Sequence, residues 1–288
     1  MWSVQIQFFF VFIGAVLLPQ GGFAHGALDE RIIELSAQIK TNGTNGELYF
    51  QRGELHRQHG AWELVLKDFD LAEKRDPKIT QLDFARGRTF FAANKFNEAK
   101  AVLDKFISVT PNPAEALAMR ARTLAKLGQP AAASEDFTRA INCSTVPDPD
   151  YFLQRADAQV AFGKSHEALA GLDEAINKIG PIISLQIRAI ELETNSKNFA
   201  SALKRLDILL AQSPRKETWL MRRGEILEKA GNRNEARLAF SEALMALEAM
   251  SANRRRVPAM TDLEDRVRLA LRRIESSSVA RTTNEKQP

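Results

Sequence analysis

Cysteine is almost absent from the sequence, which excludes a fold held by disulfides. Cys143 is the single cysteine among 288 residues, so the core must be stable without an intrachain cross-link, and a paired-cysteine metal site is excluded. Tyrosine is nearly as scarce, with two residues, and runs of strand-forming residues are few. Ala, Leu, Lys, Glu and Arg are plentiful instead, and they lose little side-chain freedom in a helix. The composition therefore predicts an all-α protein.

An excess of charge of one sign is also lacking. The 40 Lys and Arg residues nearly balance the 36 Asp and Glu residues, which gives a formal net charge of +4. Acidic residues are interleaved in the one basic region, which favours a solvated helix face over a nucleic-acid surface. We therefore predict no nucleic-acid partner. The basic region comprises Arg254, Arg255, Arg256, Arg266, Arg268, Arg272 and Arg273.

Long apolar runs are missing, with one exception at the N-terminus. The run from Phe8 to Leu18 is followed by Pro19 and by the small residues Gly22 and Ala24. This pattern is typical of a signal peptide, with cleavage predicted after Ala24 and a periplasmic or secreted location. The run is too short to cross a bilayer as a helix, so we expect no stable membrane insertion. No Lys or Arg precedes Phe8, which leaves an uncleaved anchor as the alternative.

Residues 46–249 repeat one unit six times, with intervals of 34, 34, 35, 33 and 35 residues. Each unit has an Arg followed by a small residue, then an Ala-centred segment (Val65 in the first copy), and it closes on a large apolar residue. This period is typical of stacked helix pairs, because a single pair cannot bury its own apolar face. The Arg and small residues are Arg52-Gly53, Arg86-Gly87, Arg120-Ala121, Arg155-Ala156, Arg188-Ala189 and Arg223-Gly224, and the closing residues are Phe69, Leu103, Phe137, Leu172, Leu206 and Phe240.

Helix breakers mark the limits of the units. Pro77, Pro111, Pro147, Pro181 and Pro214 fall between units, and Gly60, Gly128, Gly163 and Gly231 fall at the turn inside four of them. A proline ends one helix and suits the start of the next, whereas a glycine allows the left-handed cap of the first helix. The fifth copy has Ser196 at the glycine position and one extra residue before Ala202, so a local irregularity is expected there. We also expect each small residue to face the Ala of the second helix across a close contact.

The pattern resembles the tetratricopeptide-repeat (TPR) family over residues 46–249. Matching positions in the third copy are Leu117, Ala121, Leu124, Gly128, Ala133, Phe137 and Ala140, and the sixth copy matches at Leu220, Gly224, Leu227, Gly231, Ala236, Phe240 and Ala243. The resemblance implies a right-handed superhelical solenoid of about six stacked helix-turn-helix units with a C-terminal capping helix.

The domain prediction follows from these patterns. A signal peptide of residues 1–24 precedes an N-terminal helix, or half repeat, in 25–45. Six repeats cover 46–79, 80–113, 114–148, 149–181, 182–216 and 217–249. A capping helix in 250–275 has apolar residues at helical spacing, and a disordered tail is predicted for 276–288.

No catalytic constellation is visible, so we predict a protein that is not an enzyme and has no cofactor or small-molecule substrate. The residues include no glycine-rich phosphate loop and no nucleophile elbow. His25 would become the N-terminal residue and could chelate copper, and His56 and His59 share one helix face. Nothing in the sequence brings His25 to that pair, so an N-terminal metal site is kept only as an alternative, and no metal is predicted.

The repeated arginines have a structural and a functional interpretation. They could pair with acidic residues of the second helices while their stems pack, or they could form a ladder that binds anions. We favour pairing. The candidate partners are Asp68, Asp70, Asp104, Asp136, Asp173 and Asp207.

The family resemblance also implies where a partner would bind. In TPR proteins the first helices of the units line a concave groove, and the corresponding residues here are Phe50, Glu54, Arg57, Phe84, Arg88, Phe91, Arg122, Leu153 and Asp157, followed by Met221, Glu225 and Glu228 near the C-terminal end. The Phe residues are either anchors for a partner or part of the core between repeats. The clamp that binds chaperone tails in one TPR subgroup is absent, since its positions hold Phe50, Glu54, Ala85, Glu115 and Met119.

The leading hypothesis is therefore an exported, non-catalytic scaffold that binds a protein or peptide in this groove. The alternative within the same class is a structural adaptor of an envelope complex that uses its convex face. We also expect Arg88 and Arg122 to recognise an acidic or carboxylate feature of the partner, unless Glu54 and Asp157 neutralise them.

Overall fold

The computed structural model describes residues 21–284, and side chains within residues 26–276. Every regular element in that range is a helix, so the all-α prediction is confirmed. Most of the predicted signal peptide, residues 1–20, lies outside the described residues, and helix α1 passes through the predicted cleavage point. The helices are α1 (Gly21–Thr41), α2 (Gly46–Gln58), α3 (Trp62–Arg75), α4 (Leu82–Ala92), α5 (Phe96–Val109), α6 (Ala114–Lys126), α7 (Pro130–Cys143), α8 (Pro149–Ala161), α9 (Ser165–Ile179), α10 (Ile183–Asn195), α11 (Phe199–Gln212), α12 (Glu217–Lys229), α13 (Arg233–Glu248), α14 (Ala252–Arg255) and α15 (Pro258–Asn284).

Six consecutive helix pairs run from α2 and α3 to α12 and α13, and each predicted repeat range contains one pair. The chain divides into two compact units, with the boundary between Val109 and Thr110. The first unit contains α1 to α5, and the second contains α6 to α15. Within residues 21–284, no helix combines the length and the apolar character that a membrane span requires.

The two helices of each of the first two pairs are in close contact at the small residue of the first helix. A Cβ atom added to Gly53 would lie 2.6 Å from Phe69 Cε1, and one added to Gly87 would lie 2.7 Å from Leu103 Cδ2. Both distances are shorter than carbon atoms tolerate, so the backbone of the first helix rests on the closing residue. This corrects the expectation that the Ala of the second helix is the nearest neighbour. The large side chain fills the gap that the missing Cβ leaves.

The turn inside each pair contains one residue with a left-handed backbone conformation. Gly60, Gly128, Gly163 and Gly231 were expected there and have positive φ. Asn94 fills the position in the second pair with φ 58°, which an Asn side chain tolerates. In the fifth pair the position belongs to Lys197, with φ 61°, rather than to Ser196. The extra residue of that copy lies before the turn and moves the left-handed position along by one.

Helix α15 covers the last pair with an apolar stripe. Leu263, Val267, Ala270 and Ile274 are buried and belong to one core cluster with Phe240 of α13. The short helix α14 precedes it. The helix continues past the predicted end at residue 275, because neither Pro nor Gly interrupts residues 276–284.

Candidate functional site

The predicted binding residues occupy three equivalent positions on the first helix of each pair. Relative to the small residue they lie three before, one after and four after it, so they share one side of the helix. We call this side the first-helix face. In α2 it comprises Phe50, Glu54 and Arg57, and in α4 it comprises Phe84, Arg88 and Phe91.

The two charged residues on the first-helix face of α2 pair with each other. Arg57 donates from Nη2 to Glu54 Oε2 at 3.0 Å and from Nε to the same oxygen at 3.1 Å. The Phe50 ring stacks on Phe69, with 5.6 Å between ring centroids. Phe50 is therefore half-buried against the core, and the two charges neutralise each other.

The first-helix face of α4 carries an arginine that is not neutralised. The Arg88 guanidinium lies over the Phe84 ring, 5.8 Å from its centroid, and Phe84 stacks on Phe106 at 5.5 Å. Phe91 meets Phe96 edge to face, also at 5.5 Å. Among the described residues, Arg88 has no ion pair and no side-chain hydrogen bond, although its side chain is half-buried. A cation over an aromatic ring with unused donors can bind a carboxylate or phosphate.

In the second unit the predicted residues are engaged with neighbouring helices. Arg122 of α6 donates from Nε to Gln154 Oε1 of α8 at 2.8 Å. Asp157 of α8 pairs with Arg188 of α10 at 2.6 Å, and Leu153 is half-buried. Glu54 and Asp157 thus each have an ion-pair partner of their own.

The acidic positions of α12 are paired by helix α15. Arg266 Nη2 lies 3.0 Å from Glu225 Oε1, and Arg273 donates from Nε to Glu228 Oε1 at 2.9 Å. Met221, the apolar member of this face, is buried in the core cluster. The expected acidic end of the groove is therefore covered by arginines of the same chain.

Two of the repeated arginines form bidentate pairs inside their own repeat. Arg52 donates from Nε and Nη2 to the two oxygens of Asp68 at 2.8 and 2.6 Å. Arg120 pairs with Asp136 in the same way at 2.6 and 2.7 Å. Both acids are buried. Parallel N–H···O bonds of this kind are strong and geometrically specific, so the structural interpretation of these arginines is confirmed.

Where the position sixteen residues later is not acidic, the arginine pairs elsewhere. Arg86 turns back to Asp70 and Glu73 of α3, at 2.8 Å each, and its hydrogen bond lowers the pKa of Glu73. Arg223 turns back to Asp207. Four predicted acidic partners are thus confirmed.

Each of the remaining two acidic residues has an ion pair with a basic residue outside the repeated set. Asp104 pairs with Lys100 at 2.7 Å, and Asp173 pairs with Arg205 at 2.6 Å. Arg205 also binds the buried Glu193 at 2.8 Å. Burial raises the pKa of Glu193, against the effect of Arg205. Sequence reasoning missed Glu193, because the equivalent positions in the other copies are half-buried or exposed rather than buried.

His56 and His59 each lie near a carboxylate. His56 Nε2 is 3.7 Å from Asp68 Oδ2, and His59 Nε2 is 3.4 Å from Asp29 Oδ1. Burial lowers the pKa of His56, which favours neutral imidazole. Among the residues that the structure describes, no three His, Cys, Asp or Glu side chains converge as metal ligands. The side chain of His25 is outside the described range.

Consecutive helix pairs with this packing define a helical repeat protein. The sequence model of the tetratricopeptide repeat matches residues 84–150 and 189–253, so these two stretches are tetratricopeptide repeats, as the sequence predicted. No curated protein matches it.

Solved structures with a similar fold include a tetratricopeptide repeat protein from Parabacteroides merdae. It is 16% identical, with 85% of this chain and 94% of that chain covered and a TM-score of 0.53. PilF of Pseudomonas aeruginosa is 14% identical, with 71% and 93% covered and a TM-score of 0.52. At these identities the likeness concerns the fold alone.

Proposed function

We propose that the chain is an exported, non-catalytic scaffold that binds a protein or peptide partner through the first-helix face of α4. The TPR fold is that of a protein-interaction scaffold, although one fold serves many partners. The observation that carries the proposal is the arginine and aromatic surface of Phe84, Arg88 and Phe91. On this face Arg88, the residue directly after the small residue, has neither an ion pair nor a side-chain hydrogen bond among the described residues. The charged residues at the same position of α2, α6, α8 and α12 each have such a partner.

The chemistry of this surface indicates the chemistry of the partner. Arg88 can donate two parallel hydrogen bonds to a carboxylate, and the flanking rings can cover apolar side chains beside it. Aromatic residues and Arg are the residue types that most often dominate binding energy in interfaces. The partner segment therefore carries an acidic side chain or a chain-terminal carboxylate next to an apolar residue.

The first test uses the mature chain, beginning at His25, as bait against periplasmic or secreted extract. Arg88→Glu should abolish capture of the partner while circular dichroism and the melting temperature stay near wild type, because Arg88 has no ion pair within the described part of the chain. Lys67→Glu is the matched control, since Lys67 is exposed on α3 and also lacks an ion pair among the described residues. Equal capture by both variants would place the binding surface elsewhere.

Export is tested separately. N-terminal sequencing of protein from the periplasm or medium should give His25 as the first residue, since Gly22 and Ala24 are the small pair after the apolar run. A chain that keeps Met1 in a membrane fraction would contradict the export proposal and leave the binding proposal intact.

The second helices suggest an adaptor as the second candidate. Leu238 and Met245 of α13 are 58% and 61% exposed, and Ile208 of α11 is 42% exposed. Exposed apolar side chains on the second helices of two pairs can mark a contact surface. Loss of partner capture in Leu238→Glu and Met245→Glu, with normal capture by Arg88→Glu, would favour this alternative.

A further inference from the structure

A small cleft lies beside the start of α12 and the end of α13. Its volume is about 380 Å³, which falls within the range of small-molecule sites, about 300–1,000 Å³. None of its lining residues belongs to the first-helix face of α4. The lining residues are Pro214, Arg215, Lys216, Glu217, Ala246, Ala249, Met250, Ser251 and Arg254.

Glu217 is the unusual member of this lining. Its residue exposure is only 4%, and no side-chain hydrogen bond or ion pair to it is found among residues 26–276. Buried carboxylates are ordinarily paired, because an isolated charge loses its solvation. Glu217 is in the first turn of α12, where the helix dipole favours the negative charge. The cleft therefore contains an acceptor without a donor.

Three cationic side chains line the same cleft. Arg215, Lys216 and Arg254 are exposed, and none has a side-chain ion pair within the described part of the chain. They disfavour a simple cation as the ligand, because three positive charges would repel it. Glu217 disfavours a simple anion for the converse reason. A ligand that carries both charges satisfies the two sets of groups together.

We propose that this cleft binds a small zwitterion of the α-amino-acid type, either a free amino acid or a short peptide. The ligand ammonium group donates to Glu217, and the ligand carboxylate accepts from Arg215, Lys216 and Arg254. An aliphatic side chain of the ligand packs on Ala246, Ala249 and Met250. The carboxylate contacts are charge-assisted hydrogen bonds of the strong type.

The test titrates the full chain with each standard amino acid singly and with the dipeptide leucyl-leucine, by calorimetry and by melting temperature. L-leucine is the reference probe, because its side chain suits the apolar lining. Two analogues each lack one charge: 4-methylpentanoate lacks the ammonium group, and 3-methylbutylamine lacks the carboxylate. At least one amino acid or the dipeptide should bind and raise the melting temperature, and both analogues should bind about tenfold more weakly or not at all.

Variants assign the binding to this cleft. Glu217→Gln keeps the shape and removes the negative charge, so affinity should fall about tenfold, and Arg254→Gln should weaken binding from the carboxylate side. Glu242→Gln is the control, since Glu242 is exposed on α13 and does not line the cleft. The dipeptide arm distinguishes a peptide ligand from a free amino acid.

Three results would overturn the proposal. One is the absence of binding by every amino acid and the dipeptide at about 10 mM. Another is binding of 4-methylpentanoate as strong as that of L-leucine, which would define a simple anion site. The third is equal affinity in wild type and Glu217→Gln. Should Glu217→Gln fail to fold, the analogue series and Arg254→Gln decide the question.

Discussion

The first-helix faces of α4 and α12 have the same register and opposite charge. Arg88 and Glu225 each follow the small glycine of their helix by one residue. Glu225 is paired by Arg266 of the capping helix, whereas Arg88 contacts only the Phe84 ring among the polar and aromatic groups of the described residues. The charge that a repeat presents therefore depends on the element packed beside it as well as on its own sequence.

The largest expected effect on stability comes from substitutions that force apart the two helices of a pair. Gly87→Ala and Gly224→Ala each add a Cβ against a buried closing residue, Leu103 or Phe240. Overpacking of this kind costs about 1–3 kcal/mol of the free energy of unfolding, and the rigid Phe240 ring should make the second change the more costly. Chemical denaturation measures both.

Gly26→Ala is the control for the glycine changes, because nothing lies within 4 Å of its added Cβ. It should leave the denaturation midpoint unchanged or slightly higher. A similar midpoint for all three variants would show that the helices of a pair do not rest on the closing residues.

A smaller effect is expected from the pH dependence of the capping helix. Hydrogen bonds from Arg255 and Arg268 lower the pKa of Glu264 from 4.5 to about 2. Because the folded-state pKa is depressed, the stabilisation is present above the unfolded-state pKa and is lost as the pH falls through about 2. Glu264→Gln should therefore be less stable than wild type at neutral pH, and the two should converge in acid.

Asp262→Asn controls for the general effect of acid, since Asp262 is exposed on the same helix and has no ion pair among the described residues. Melting temperatures across the acid range supply the comparison. A constant difference between Glu264→Gln and wild type would mean that the carboxylate charge is not what stabilises α15.

A third prediction concerns variants in which the acidic residues on the first-helix face of α12 lose their ion-pair partners, so that they are unpaired like Arg88 on α4. Arg266→Ala with Arg273→Ala removes the partners of Glu225 and Glu228, which should cost about 0.2–1 kcal/mol for each exposed pair. The exposed acids should then bind oligolysine more tightly than wild type does, with an affinity that falls as salt rises. Arg272→Ala is the matched control, because the exposed Arg272 pairs with no described acid. Unchanged oligolysine binding would show that α15 does not cover these charges.

The smallest expected effect concerns α2. Glu54→Gln removes the ion-pair partner of Arg57 and should change the free energy of unfolding by only about 0.3–0.5 kcal/mol. It leaves a second unpaired arginine on the first-helix faces of the first unit, so capture of an acidic partner should increase. A decrease in capture would instead show that Glu54 itself contacts the partner.

Much of the fold could be predicted from the sequence because its signals are local. The Arg and small residue, the closing residue and the turn glycine recur at fixed intervals, and they determine where helices begin, touch and end. The left-handed conformations of Asn94 and Lys197 at the turn were not predicted, because neither residue is a glycine. The packing of the two helices imposes the conformation there. The pairing of Arg52 with Asp68 was predictable from composition and period together.

The candidate site was harder to predict, because the sequence shows which residues lie on the first-helix faces but does not show which residues pair with them. The pairing of Arg122 with Gln154 depends on contact between different repeats, and the pairing of Glu228 with Arg273 depends on a helix outside the repeats. Glu217 gave no signal at all, since an acid in the first turn of a helix ordinarily faces solvent. Local periodicity reports helices and their contacts, but it does not report which charges remain unpaired.

Gly171 has a consequence for the modularity of the chain. It stands where two other repeats have the aspartate that pairs with their arginine, and a Cβ there would lie 2.7 Å from Arg155 Nη2. Arg155 instead donates to the Gly171 carbonyl at 3.2 Å. An aspartate at position 171, as the third repeat has at its equivalent position, would place a side chain where this guanidinium now lies. The repeats therefore share their close helix contacts but differ in how each arginine is neutralised, and a shuffled or consensus version of this protein would have to reassign its arginines repeat by repeat.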